Sequence, residues 1–179
     1  DVDGDGDVDN DDRRVIGNPH PDFYYGFSNN LKYKGFDLSI FLQGVVGNDV
    51  YVEAMNHMTK LTGENNILQS VYDQAGTKYV IPNADNSNIG VADFTIWDGS
   101  YLRLKEITLG YSLPELITKK IGLSNLRLYV TGTNILTFDN DYPWYDPETA
   151  SSGSDVIIGW DRGGYPNNKS YLFGLQVKF

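Results

Sequence analysis

A chain of 179 residues has room for one ordinary domain, and a formal charge of -10 excludes a nucleic-acid groove, which needs clustered Lys and Arg. Its 19 Gly and 13 Tyr suit strands and turns, and the absence of Cys rules out a disulfide framework and thiol chemistry. No run of ~18 apolar residues occurs, so there is no transmembrane helix; barrel strands, whose alternating signal is weaker, stay open.

The chain begins DVDGDGDVDNDD. Asp1, Asp3, Asp5, Asp9 and Asp12 fall on the liganding positions of an EF-hand-type loop, with Asp7 at the position that ligates through its backbone carbonyl. Gly6 supplies the sharp turn and Val8 the inward apolar residue. Carboxylates this dense repel one another unless a cation sits among them. A solvated acidic tail is the plain reading of such a run, but it does not explain the placed Gly6 and Val8. The expected occupant is Ca2+, with Mg2+ second. Asp12 stands where a bidentate Glu is usual, and its shorter side chain weakens the site. No helical periodicity flanks the loop, so it is not half of an EF-hand pair. A chain that opens inside such a loop, with no leader, reads as the later part of a longer protein.

Strands follow. Residues 22–32 put Phe23, Tyr25, Phe27 and Leu31 on one face and Gly26, Ser28, Asn30 and Lys32 on the other. A tight turn at 33–35 leads into 36–46, where Phe36, Leu38, Ile40 and Leu42 alternate with Asp37, Ser39 and Gln43. Strands of this length suit a membrane barrel, which needs ~9–11 residues, better than a globular sheet. Residues 47–99 form a long insertion with short helices expected at 50–61 and 65–79. His20 and His57 carry no assigned role. Residues 100–113 form the third strand, in which Leu102 and Leu104 are out of phase with Ile107, Leu109, Tyr111 and Leu113. That slip near Lys105 and Glu106 predicts a β-bulge. A helical turn opened by Pro114 separates it from the fourth strand, 125–137.

Residues 138–168 are a second long loop, rich in Asp, Gly, Pro and aromatics. Within it, Tyr142, Trp144, Tyr145, Trp160 and Tyr165 together suggest a partner-contacting surface. The last strand, 169–179, aligns Tyr171, Phe173, Leu175, Val177 and Phe179 on one face, with Gln176 and Lys178 on the other. The apolar rows are expected to face lipid, and Asn30, Lys32, Asp37, Ser39, Gln176 and Lys178 the lumen. Connections alternate strictly: 1–21 long, 33–35 short, 47–99 long, 114–124 short, 138–168 long. Outer-membrane barrels sort their connections this way, with short periplasmic turns and long extracellular loops. The resulting expectation is an all-β, antiparallel transmembrane barrel segment, with 1–21, 47–99 and 138–168 outside the cell. The competing reading is a secreted, calcium-stabilised β-sandwich acting as a carbohydrate-binding module. No catalytic constellation appears: there is no phosphate-cradling Gly motif and no Gly-x-Ser-x-Gly elbow.

The blocks Asp12-Arg13-Arg14-Val15-Ile16-Gly17-Asn18-Pro19, Tyr33-Lys34-Gly35-Phe36-Asp37-Leu38, Asp98-Gly99-Ser100-Tyr101-Leu102-Arg103 and Tyr145-Asp146-Pro147-Glu148, with the closing aromatic strand, occur in an order that resembles the late part of SusC/RagA-family TonB-dependent transporters. The resemblance covers all but the centre of the long insertion. It implies a 22-stranded outer-membrane barrel around an N-terminal plug, of which this chain is the last five strands. It further implies import of oligosaccharides or peptides, energy supplied through TonB by way of the missing N-terminal part, and a SusD-like surface lipoprotein as partner. No enzyme activity is implied.

Overall fold

The computed structural model describes residues 2, 4, 11–59, 66–74, 91–139, 141–148 and 157–179. In chain order, β1 (Phe23–Tyr33) and β2 (Phe36–Val46) form a long hairpin. A connecting region follows with β3 (Asp49–Val52), α1 (Glu53–Met58), α2 (Gln69–Asp73) and β4 (Ile96–Asp98). Then come β5 (Tyr101–Ser112), α3 (Glu115–Thr118) and β6 (Asn125–Asp139). The two-residue β7 (Trp160–Asp161) precedes β8 (Ser170–Lys178).

The five long strands make one antiparallel meander, ordered β1-β2-β5-β6-β8. Each strand pairs with the next long strand in the chain, so the wall has no crossover. The first hairpin turns on Lys34 and Gly35, with φ of 47° and 88°. Positive φ at both central residues is the type I′ geometry, whose twist matches that of the strands it joins. Glycine is required there, because a Cβ on Gly35 would lie 2.9 Å from the Ser112 carbonyl oxygen. The second turn at this end uses Pro114, α3 and a 3-10 turn that closes on Gly122 at φ 75°.

The expected phase slip is a bulge: β5 and β6 lose register between Leu104 and Glu106. Asn134, at φ 52°, takes up the complementary slack on β6. The short polar side chain of Asn tolerates that left-handed backbone. Leu136 and Phe138 thereby return to the face that Val130 occupies, and β6 runs on to Asp139.

The other ends of the strands carry a separate small body. β3 pairs antiparallel with β4 and parallel with β7, which knits the two long connections into one three-stranded sheet. Val50, Val52, Met55, Val71, Phe94 and Tyr142 form its buried core. Of the helices expected at 50–61 and 65–79, residues 60–61, 65 and 75–79 lie outside the described residues, and among the described ones the helices are shorter. Val50, Tyr51 and Val52 are β-branched or aromatic and go to a strand, leaving six residues to α1 and five to α2. The segment before β1 joins this body: Asn18 and Asp49 exchange backbone and side-chain hydrogen bonds at 2.8 Å.

Candidate functional site: a two-faced wall and an ionic clamp

Strand register settles which side chains share a face. Across the middle of the sheet, Leu38 lies opposite Leu31 and Leu109, Leu109 opposite Val130, and Val130 opposite Phe173. Leu42, Leu104 and Leu136 make a second such row. Towards the long connections this face carries Phe23, Tyr25, Phe138 and Tyr171; towards the short turns it carries Tyr33, Phe36 and Tyr111. Aliphatic residues with an aromatic fringe at both ends form the apolar band and girdles of a membrane barrel. Eleven residues at ~3.4 Å each, tilted by ~40°, span ~28 Å, enough for a hydrocarbon layer.

No second layer covers this face among the described residues. Phe173 is 80% exposed, Phe179 90% and Phe138 59%. A sandwich would bury such residues between sheets ~10 Å apart. The carbohydrate-module reading fails on that observation, since the packed hydrophobic cluster lies in the small body at the strand ends and not against this face.

The opposite face is mainly polar, with Tyr24, Phe41 and Leu172 set among its hydroxyls and charges. Asn30 lies opposite Ser39, Ser39 opposite Thr108, and Thr108 opposite Thr131; Lys32 faces Asp37. The hydroxyls of Thr108 and Thr131 meet at 2.7 Å, and those of Thr133 and Ser170 at 2.5 Å. Arg127 grips the Asp37 carboxylate with Nε at 2.9 Å and Nη2 at 2.5 Å. Its guanidinium lies 4.8 Å from the Tyr129 ring, which in turn covers Gly174 on the neighbouring strand. Gln176 and Lys178 belong to this same face, opposite Arg127 and Asn125.

A cluster of buried charges sits at the long-connection end of the polar face. Arg103, with a side chain 2% exposed, donates to Asp146 through Nη2 and to Glu148 through Nη1. Its Nε donates to Thr137 at 2.9 Å. Lys105 Nζ adds a 2.7 Å contact to Glu148. Asn167 donates to Asp146 Oδ2 from its backbone N–H at 3.0 Å and its amide at 3.1 Å. Two cations and two anions are thus neutralised together, which a desolvated cluster requires. Burial pushes the Asp146 carboxyl up, but hydrogen bonds from Arg103 and from the backbone N–H groups of Glu148 and Asn167 outweigh it and leave the pKa lowered. Arg103 and Lys105 stand two apart in β5, so ordinary strand alternation puts both on the polar side, where Lys105 also reaches Glu148.

Nearby, the Tyr142 hydroxyl donates to the fully buried Asp161 at 2.8 Å. Burial, followed by the Asp161 contact, raises the pKa of this phenol. The five loop aromatics do not act as one surface. Tyr142 belongs to the small core, and Trp144 and Trp160 are half-buried. Tyr145 and Tyr165 are the exposed ones, Tyr145 packed edge-on against Trp144 at 4.9 Å. Of the proposed cation ligands, Asp1, Asp3, Asp5, Asp7 and Asp9 lie outside the described residues. Asp12 lies in a turn and accepts a hydrogen bond from the Val2 backbone N–H. Among the described residues no group of three or more metal-type ligands is gathered.

Sequence reasoning placed Arg103, Asp146 and Glu148 in familiar blocks without a role. The usable signal was the spacing of two in Arg103 and Lys105, which puts both basic side chains on one face of the strand.

No protein-family profile matches the chain. All of it aligns with TonB-dependent receptor P3 of Formosa agariphila at 37% identity over 185 residues, covering 18% of that protein. TonB-dependent receptor P26 of the same organism is 34% identical over 191 residues, with 19% of it covered. TonB-dependent receptor SusC of Bacteroides thetaiotaomicron is 27% identical over 181 residues, with 17% covered. The chain therefore spans a little under a fifth of the length of these relatives. In solved structures, the same fold occurs in the RagAB peptide importer. Its closed-closed state gives a TM-score of 0.71 at 22% identity over 98% of this chain and 20% of that one. The open-open state gives 0.65 over 93% and 18%. The five-stranded sheet is a piece of the wall of an antiparallel transmembrane β-barrel. More particularly, the chain is a segment of a TonB-dependent receptor and belongs to the SusC/RagA family.

Proposed function

We propose that the chain forms the last five strands of a 22-stranded, SusC-like TonB-dependent transporter in the outer membrane of a Gram-negative bacterium. The single observation that carries the proposal is the apolar face with aromatic fringes, interrupted in β1 by Asn29 alone among its paired residues, backed by a face of hydroxyls and paired charges. Lipid is the solvent that suits the first, and a channel or plug the second. The two short connections lie at one end of the wall and the long ones at the other, which supports short turns in the periplasm and residues 1–21, 47–99 and 138–168 outside the cell.

In this reading the barrel imports oligosaccharides or peptides, with energy delivered by TonB through the part of the protein that precedes these residues. A SusD-like surface lipoprotein is the partner at the extracellular side. The likeness of the wall to a peptide importer supports the peptide arm, the family resemblance supplies the oligosaccharide arm, and the two are the arms of the test. The barrel is not an enzyme. Deleting the gene for the full-length receptor and following growth on peptide or glycan as sole carbon source tests transport, and growth equal to wild type on every large substrate refutes it. Purification of the tagged receptor without any lipoprotein partner counts against the SusD-like assembly.

The acidic segment is proposed to hold Ca2+, with Mg2+ second, through Asp1, Asp3, Asp5, Asp7, Asp9 and Asp12. The support is the spacing of these carboxylates about Gly6. Calcium titration of the full-length receptor, read by protease cutting near Asp12, tests it. No protection at millimolar calcium rules the site out.

A further inference from the structure

A long connection at the end of a barrel either moves as a lid or forms a fixed part of the mouth. Here the segment 142–148 is held at both of its ends. At one end Tyr142 sits in the core of the small body, with its hydroxyl on Asp161 at 2.8 Å. At the other, Asp146 and Glu148 are drawn onto Arg103 and Lys105, which project from the polar face of β5. Asn167, from the far end of the same connection, closes the cluster by donating to both carboxylates at 3.1 and 3.2 Å. The anchoring cations stand on the wall's channel side, so the segment folds inward over that side. Asp146 and Arg103 are 4% and 2% exposed, and releasing them would strand opposite charges away from water.

We propose that the segment 142–148 is a latched constriction, fixed across the channel mouth by Arg103 and Lys105, and not a mobile lid. Between its two anchors it holds Trp144 and the exposed ring of Tyr145 at a set position, so the movement that admits cargo belongs to other parts of the assembly. The inference rests on the barrel reading, because only a barrel gives the polar face a channel.

The test uses the full-length receptor in lipid nanodiscs. Amide hydrogen exchange is followed over 142–148 in wild type, Arg103→Met, Lys105→Met and the control Lys119→Met, whose exposed partner Glu115 lies on the turn at the opposite end. Residues 143 and 147 are proline, so the readout is the Tyr142 and Glu148 amides, which donate to the Asp139 and Asp146 carboxylates at 3.1 and 2.9 Å and are expected to exchange slowly in wild type. Arg103→Met should speed them about a hundredfold, Lys105→Met about tenfold, and the control not at all. Electron-spin distances between labels at Tyr145→Cys and Ser28→Cys should be narrow in wild type and broad in Arg103→Met. Fast exchange in wild type, or an unchanged segment in both Met variants, overturns the latch. Should Arg103→Met fail to fold, Lys105→Met with Arg103 and Asp146 intact decides alone. A Ser28 label that reports lipid contact would instead bring down the barrel reading itself.

Discussion

Ile40 and Ser39 are neighbours in β2 on opposite faces of the wall, and the pair sets the two solvents against each other. Ile40 stands near the middle of an eleven-residue strand, between Asn29 and Ile107. Lysine there must be carried into the hydrocarbon layer, at ~2–4 kcal/mol near the midplane. Losing the isoleucine's apolar contacts with its neighbours adds about 1 kcal/mol. Ser39 lies between Asn30 and Thr108 on the polar face, and Ser39→Lys there should cost under about 1 kcal/mol. The expected gap between the two variants is ~3 kcal/mol, about a hundredfold in the folding equilibrium. Reversible urea unfolding of the full-length barrel in lipid vesicles reads it directly. Equal costs, or a larger cost at Ser39, would refute the assignment of faces.

Three further outcomes follow from the packing. Gly174→Val puts a Cβ about 2.1 Å from the Tyr129 ring, so that ring must leave its place beside Arg127, and stability should fall by ~1–3 kcal/mol in the same unfolding assay. Tyr142→Phe leaves the buried Asp161 without its 2.8 Å phenol donor, and exchange in the small sheet should quicken by about 1–3 kcal/mol equivalent while the wall is unaffected. The clamp should loosen only in acid. The Asp146 pKa is lowered in the fold, so its stabilisation is complete above its unfolded value near 3.8 and disappears as pH falls through the folded value. Exchange over 142–148 should therefore be flat from pH 7 to 5, after correction for the intrinsic rate, and rise below about 4. Facing this carboxyl are Arg103, Lys105, Glu148 and Asn167, with the Tyr142–Asp161 pair nearby. An onset near pH 6 would point to another group.

The wall was legible because a strand's period is two and a membrane barrel obeys it over whole strands. Phe23-Tyr25-Phe27 and Tyr171-Phe173-Leu175 announce their face without help from elsewhere, and the bulge showed itself as a phase slip at Lys105. The small body was not legible. β7 is only two residues long, and its parallel partner Tyr51 lies more than a hundred positions earlier, so no local pattern marks the pairing. The clamp failed for the same reason: Arg103 and Asp146 are ordinary charges until the folded chain removes them from water together. Tyr142 and Tyr145 look alike in sequence, yet one fills a core and the other faces out, a difference made by the hydroxyl's access to Asp161.

The two-faced wall can be tested most directly by spin labels placed one at a time at residues 36–43 of β2 in the full-length receptor reconstituted in bilayers. Collision with oxygen, which concentrates in lipid, should be high at 36, 38, 40 and 42 and low at 37, 39, 41 and 43, a period of two along the strand. A flat profile, or water-soluble relaxant reaching 38, 40 and 42, would contradict the barrel.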